Sequence, residues 1–329
     1  MRLGLTRPIA TLFAIASAFW MGCSSVLPLV CAAQTKPHQV SLRANGSLLI
    51  DSRPFFPMGM YHVSWGISPA KQIEHLEDIA AAGFNTVHAS ANDWKDYAKF
   101  LQRANKLGVY VLSEHHGDPL EFTQYFKNEP AVLAWNLADD VDNGKHTPTK
   151  LMALNRKIQA TDPNHLTYIS GYSKDLQKFT QCASILGRQS YPIRAHTTEE
   201  LSKTYLEIAE IANTKKGKSQ QALFANLQVF PWSVTGSQQN GTVPEESEVR
   251  NMTYQAILGG AKGILYYTYY DEVWFLPDHT PLWQSLKSLN QEVQSLSPFF
   301  LDGMFQRLTL ASENLKGGIW VNGKKLYGW

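Results

Sequence analysis

Between Pro54 and Ser297 the chain switches eight times between a short apolar run and an amphipathic stretch, and this alternation restricts the fold more than any other feature. The apolar runs are Phe55 to Met60, Phe84 to His88, Val109 to Ser113, Val132 to Ala138, His165 to Ser170, Ser184 to Tyr191, Ala222 to Val229 and Gly263 to Tyr267. Helix-opening signals stand between them. Ser68-Pro69, Asp118-Pro119, Thr147-Pro148 and Thr280-Pro281 each place a capping side chain before proline, and Thr197 with Glu200 forms a capping-box pair. Eight strand–helix units over 244 residues match the roughly 250 typical of a closed α/β barrel, so the spacing predicts a (β/α)8 TIM barrel over residues 54–297. An open doubly wound sheet is the competing reading. It usually carries a glycine-rich first turn, and Gly59-Met60-Tyr61-His62 lacks the further glycines.

The flanks read differently. Arg2 and Arg7 precede the apolar run Ile9 to Met21, with small residues at Gly22, Ala32 and Ala33, so residues 1–32 read as a secretory signal peptide. The protein is therefore expected to be secreted or periplasmic. A second reading makes Gly22-Cys23-Ser24-Ser25 the end of a lipoprotein signal, with Cys23 as a lipid anchor on the outside of a membrane. Residues 33–53 predict a hairpin, Val40 to Leu42 turning at Asn45-Gly46 into Leu48 to Ile50. Residues 298–329 predict a short β extension, with Leu308 to Leu310, Gly318 to Val321 and Lys325 to Tyr327 as strands. It reads as the start of a longer β-domain or as a cap on the barrel that pairs with the hairpin. Without Arg2 and Arg7 the chain has 28 basic and 28 acidic residues, which leaves no electrostatic surplus for a nucleic-acid partner. Cleavage after Ala32 leaves Cys182 alone, so neither a disulfide nor a cysteine metal cluster is expected.

A barrel carries its chemistry at the C-terminal ends of its strands, so the residues after each apolar run are the candidates. After the fourth run come Asp139, Asp140 and Asp142, three acids within four positions. Like charges this close raise the pKa of one carboxyl, as a general acid requires, although an acid-rich loop that caps local backbone has the same composition. Other strand ends supply His62, Trp65, His88, Glu114, His115, His116, Arg188, Tyr191, Gln228, Trp232, Asp271, Glu272 and Trp274. Rings beside hydrogen-bonding side chains suit an oligo- or polysaccharide, whose C–H faces pack on aromatics while its hydroxyls need polar partners. No His-Glu-x-x-His, Gly-x-Ser-x-Gly or phosphate-loop motif occurs, so neither a metal nor another cofactor is expected. Lys262 precedes the eighth run and is expected at the barrel's bottom rather than as a Schiff-base lysine.

The stretch from Asn128 to Asp140, NEPAVLAWNLADD, resembles the fourth-strand region of (β/α)8 glycoside hydrolases of the large retaining clan, in particular family 2-like catalytic barrels. Pro57 to Tyr61, Ala82 to Thr86, Tyr191 to Ile193 and Gly260 to Ile264 add to the resemblance, which covers nearly all of residues 40–300. It implies that Asp140 takes the place of the acid/base glutamate and Asp139 that of the preceding aspartate. The departure lies at the seventh strand, where Gln228 stands in the place of the nucleophilic glutamate, and an amide cannot form the glycosyl ester. Asp271 or Glu272, and after them Glu114, are then the candidates for a second carboxylate that activates water with inversion.

The expected function is a glycoside hydrolase acting on an extracellular oligo- or polysaccharide. Asp140 is its general acid, Asp271 or Glu272 its second catalytic residue, and Asp139, Trp65, His88, His116, Tyr191, Gln228, Trp232 and Trp274 its sugar contacts. The alternative is a noncatalytic carbohydrate-binding barrel that has lost its nucleophile.

Overall fold

The computed structural model of the chain describes residues 36–64, 66–90, 92–214, 221–235, 241–310, 312 and 315–329. The leader segment with Cys23, and also Trp65, lie outside the described residues. Three short antiparallel strands come first, β1 (Val40–Leu42), β2 (Leu48–Ile50) and β3 (Arg53–Phe55), in the order β1-β2-β3. Eight parallel strands then close a barrel: β4 (Met58–Met60), β5 (Thr86–Ser90), β6 (Tyr110–Glu114), β7 (Val132–Ala138), β8 (Leu166–Gly171), β9 (Ile185–Ser190), β10 (Ala222–Gln228) and β11 (Gly263–Tyr267). The last pairs back onto the first. The doubly wound alternative is thereby excluded.

Three of the four cap–proline signals open their helices as expected; at the fourth, Thr280 is already helical and His279, in the cap position, makes no side-chain cap bond. In α1 (Pro69–Ala81) the Ser68 hydroxyl accepts from the Lys71 amide, and α2 (Trp94–Leu107) buries Tyr97, Phe100, Leu101 and Ala104 on one stripe before Gly108 ends it in a left-handed turn. In α3 (Pro119–Phe126) and α4 (Pro148–Thr161), Asp118 and Thr147 cap the first turn. At α5 (Thr198–Thr214) the Thr197 hydroxyl accepts from the Glu200 amide while the Glu200 carboxylate accepts from the Thr197 amide, the reciprocal pair the sequence predicts. α6 (Glu246–Gly259) follows β10, and α7 (Thr280–Asp302) completes the ring.

Two features depart from the expected pattern. The apolar run Phe55 to Met60 is not one strand: it divides at Phe56-Pro57, with β3 pairing antiparallel to β2 and β4 entering the barrel. Pro57 has no amide to donate to a ladder, which favours a break there. At the other end, β14 (Met304–Arg307), β15 (Gly318–Asn322) and β16 (Lys325–Gly328) pair only among themselves, not with the N-terminal hairpin, and the first of them precedes Leu308. Trp320 of this sheet is buried against Phe300 of α7, and Trp329 stacks on Tyr254 of α6 at 5.2 Å. A two-residue pair, β12 (Tyr270–Asp271) and β13 (Trp274–Phe275), lies between β11 and α7.

The barrel interior is filled by Leu112, Leu133, Tyr168, Ile185, Ala222, Phe224 and Leu265, and Val40, Leu48 and Ile50 of the first sheet join the same apolar cluster. Room for the two largest of these rings comes from glycine. A Cβ on Gly187 would lie 2.0 Å from the Tyr168 hydroxyl, and one on Gly263 would lie 2.8 Å from the Phe224 ring.

Candidate active site at the barrel mouth

A cavity of about 790 Å³ opens among residues at or beyond the C-terminal ends of the barrel strands. His62 follows β4, Glu114 ends β6, Asp139 and Asp140 follow β7, Gln189 and Tyr191 lie at the end of β9, Phe230 and Trp232 follow β10, and Tyr267 ends β11. This is the face on which a (β/α)8 barrel carries its chemistry. A 520 Å³ groove between α6 and α7 lies on the outer helical layer instead.

Asp140 is half-buried in this cavity with a left-handed backbone, φ 49°, and His62 has the same φ. Residues outside the ordinary backbone regions collect at functional sites, where surrounding contacts hold them. The amide nitrogen of Gln189 lies 2.7 Å from Asp140 Oδ1, 3.2 Å from Asp139 Oδ1 and 3.0 Å from Ser170 Oγ. Its two protons therefore serve three acceptors. A neutral amide cannot cancel two carboxylate charges, and the Asp140 carboxyl is held above its ordinary pKa by burial first and by the Asp139 charge second. The Gln189 hydrogen bond and His62 oppose that rise. Asp139 Oδ1 also accepts from the Asp140 amide, and its Oδ2 lies 3.8 Å from His62 Nε2.

Asp142, the third acid of the cluster, has a structural task. Its carboxylate accepts from the Ser173 amide and hydroxyl, both at 2.7 Å, and ties the loop after β7 to the loop after β8. The acid-rich loop thus divides into one anchor and two cavity residues.

Aromatic rings form the opposite wall. Tyr191, Phe230, Trp232 and Tyr267 pack with centroids between 5.3 and 6.3 Å apart, and Trp232 Nε1 donates to the Tyr191 carbonyl. Burial raises the Tyr191 hydroxyl far above its ordinary pKa, with the neighbouring Tyr267 hydroxyl and the Asp139 charge adding to it, so it remains a neutral donor.

The other sequence-predicted residues do not line this cavity. Tyr267 donates to Asp271 Oδ2 at 2.9 Å, which places Asp271 beyond the wall residue, and Glu272 is exposed in the turn between β12 and β13. Gln228 is fully buried, with Oε1 accepting from the Ile193 amide and Nε2 donating to the carbonyls of Ile193 and Phe230. All its main hydrogen-bonding capacity is spent on backbone. Trp274 is buried, stacked on His279 at 3.9 Å with its indole donating to the Thr268 carbonyl, and so offers no platform to the cavity. His88 is buried in a stack on Tyr61 at 4.0 Å, where burial holds its pKa well below the usual range, and Asn136 contacts its Nε2. His116 is exposed in the loop after β6 and away from the cavity lining, with its carbonyl accepting from Trp94. Lys262 Nζ donates to the Phe300 carbonyl at the opposite end of β11, as its position before that strand predicts.

Gln189, Tyr267, Arg194 and Lys145 line the cavity without being marked by the sequence pattern, and Gln189 is the one of them that meets the two acids. It sits inside an apolar run, where strand periodicity signals burial and gives no sign that its amide meets two acids. No group of three His, Cys, Asp or Glu side chains among the described residues is placed to hold a metal ion.

No protein-family model and no curated protein matches the chain. Solved structures do. A glycoside hydrolase family 5 mannosidase from Rhizomucor miehei in complex with mannosyl-fructose superposes with a TM-score of 0.59 at 10% identity, covering 80% of this chain and 99% of that one. A family 2 β-galacturonidase from Eisenbergiella tayi bound to glycerol gives 0.55 at 10% identity, over 78% of this chain and 54% of that one. A β-glucuronidase from an uncultured Clostridium gives 0.50 at 13% identity, over 70% and 46%. The chain thus spans about half the length of these two uronidases. Its neighbours are glycoside hydrolases of families 2 and 5 built on a parallel eight-stranded barrel, and the likeness defines the class of fold.

Proposed function

We propose that the protein is a glycoside hydrolase whose general acid is Asp140, acting on an oligo- or polysaccharide outside the cytoplasm. The observation that carries this reading is a half-buried carboxyl with a raised pKa, facing a ring-lined cavity that also contains Glu114. Asp140 keeps its proton to higher pH and delivers it to the leaving glycosidic oxygen, while Glu114, in place of Asp271 or Glu272, activates the attacking water. Tyr191, Phe230 and Trp232 pack against the sugar's C–H faces. The neighbours' named substrates, mannosides and uronides, support a carbohydrate ligand. The location outside the cytoplasm rests on the composition of residues 1–32.

Gln228 favours a second reading. A glutamine bound on three sides by backbone supplies no nucleophile, so a covalent glycosyl intermediate is not expected and any hydrolysis inverts the anomeric centre. If Glu114 is also unable to activate water, the barrel only binds. A panel of polysaccharides and aryl glycosides separates the two. The first reading expects release of reducing sugar, an inverted anomer by proton NMR, and a ~10²–10⁴-fold fall in kcat for Asp140→Asn with sugar affinity retained. Oligosaccharide binding without any release, in both the wild-type protein and the variant, establishes the binding barrel.

A further inference from the structure

Two cations at the cavity rim have no part in the reading above. Arg194, in the loop after β9, holds its guanidinium 4.4 Å from the centroid of the Trp232 ring, and Lys145 lies in the loop after β7. Among the described residues neither has a carboxylate within 4.0 Å, whereas Arg188 faces Glu207 at 3.6 Å. The local backbone is tied down around both. The Thr242 hydroxyl donates to the Arg194 carbonyl, and Asn143 Oδ1 accepts from the Lys145 amide at 2.9 Å. Trp232 is fixed in turn by its bond to the Tyr191 carbonyl.

We infer that Arg194 and Lys145 form an anion-binding end of the cavity and that the substrate is an acidic glycan, a sugar bearing a uronate carboxylate. The inference rests on the carbohydrate reading and narrows it. The same cavity holds Asp139, Asp140 and Glu114, and its further acid, Glu207, is met by Arg188 at 3.6 Å, so a substrate anion is repelled by the first three and attracted to the two cations. Charge alone then orients the ligand, with its carboxylate toward the two cations and its uncharged glycosidic oxygen toward Asp140. A guanidinium stacked on an indole keeps its N–H edges open in one plane, which matches the planar carboxylate and the fork geometry arginine provides.

The test is a binding measurement on the Asp140→Asn protein, which needs no turnover. Titration calorimetry compares a galacturonate or glucuronate oligomer with the neutral oligomer of the same linkage and with a sulfated neutral one. The expected result is at least about tenfold tighter binding of the uronate than of the neutral sugar, weakening as salt is raised. Arg194→Met, and separately Lys145→Met, should each lose most of that preference while leaving the neutral affinity within about twofold, with unchanged thermal melting as the check on folding. Equal affinity for neutral and acidic oligomers, or a preference that survives both substitutions, overturns the inference and leaves the carbohydrate reading standing. Equal or tighter binding of the sulfated sugar overturns the assignment to a carboxylate. Failure of every oligomer to bind removes the carbohydrate reading and this inference together.

Discussion

An aspartate at φ 49° beside a second aspartate is held where neither its backbone nor its charge is comfortable. Its raised pKa means that the folded protein binds this proton more tightly than the unfolded chain does. Stability therefore falls as pH rises from the ordinary carboxyl range through the raised value, and the full penalty is present above it. Asp140→Asn removes the charge, retains an oxygen for Gln189, and suits left-handed backbone better than most residues. The variant is expected to melt at a higher temperature than wild type at neutral pH, with the difference shrinking as pH falls from the raised value toward about 3.9, the unperturbed aspartate value, and gone below it. A calorimetric melting series across pH checks both parts. Gln228 shows the opposite economy, because every polar atom of its amide is matched. Gln228→Glu, which restores the residue type expected of a retaining relative, leaves the carbonyls of Ile193 and Phe230 without donors and buries a carboxyl. The expected result is a loss of ~3 kcal/mol in urea unfolding and no gain of retaining activity. A stable variant that accumulates a covalent glycosyl adduct would show that the seventh strand still presents a nucleophile position.

At the scale of elements, the barrel closes only because large and small residues alternate across neighbouring strands. Tyr168 of β8 reaches across the interior to Asn226 of β10, exchanging hydrogen bonds at 2.9–3.2 Å, and Gly187 of β9 leaves the space its ring occupies. Gly187→Ala should cost ~1–3 kcal/mol by overpacking, read as a lower urea midpoint with an unchanged slope. Such pairings are invisible in the sequence, where Gly187 stands only as one residue in an apolar run. What is legible there is local. Ser68, Asp118, Thr147 and the Thr197–Glu200 pair announce their helices because capping involves residues three apart, and the eight apolar runs announce their strands because period and burial coincide. The break at Pro57 is missed because the apolar run continues through it. Part of the site is legible for the same reason, since residues just beyond a barrel strand must reach the mouth: Asp139, Asp140, Glu114, Tyr191 and Trp232 do so. Trp274 and Asp271 also follow a strand, yet the β12–β13 hairpin turns one into the core and places the other behind Tyr267. That outcome depends on loop geometry, which periodicity does not encode.

Across the whole molecule the two ends of the barrel have separate duties. The sheet β1-β2-β3 joins the apolar cluster of the barrel interior through Val40, Leu48 and Ile50, with the Val40 amide donating to the Asn164 carbonyl ahead of β8. Arg43 pairs with Asp302, and Asn45 donates to the Leu301 carbonyl, so the same sheet is fastened to the end of α7. None of these residues lines the mouth cavity. The N-terminal sheet is therefore a stability element, and the strand ends at the mouth carry the polar and strained residues that cost stability. Leu48 is fully buried, and Leu48→Ala removes its packing from the interior cluster, which should lower unfolding free energy by ~2–5 kcal/mol. Because the folded mouth is untouched, the affinity of the variant for an oligosaccharide at 25 °C should remain within about twofold of wild type, since sites without shared partners act independently. Urea titration and calorimetric binding on the same preparation measure the two quantities. A large loss of affinity in a variant that is still folded would mean that the two ends are coupled through the barrel interior, with Tyr168, packed in the same cluster and bonded to Asn226, as the residue to examine next.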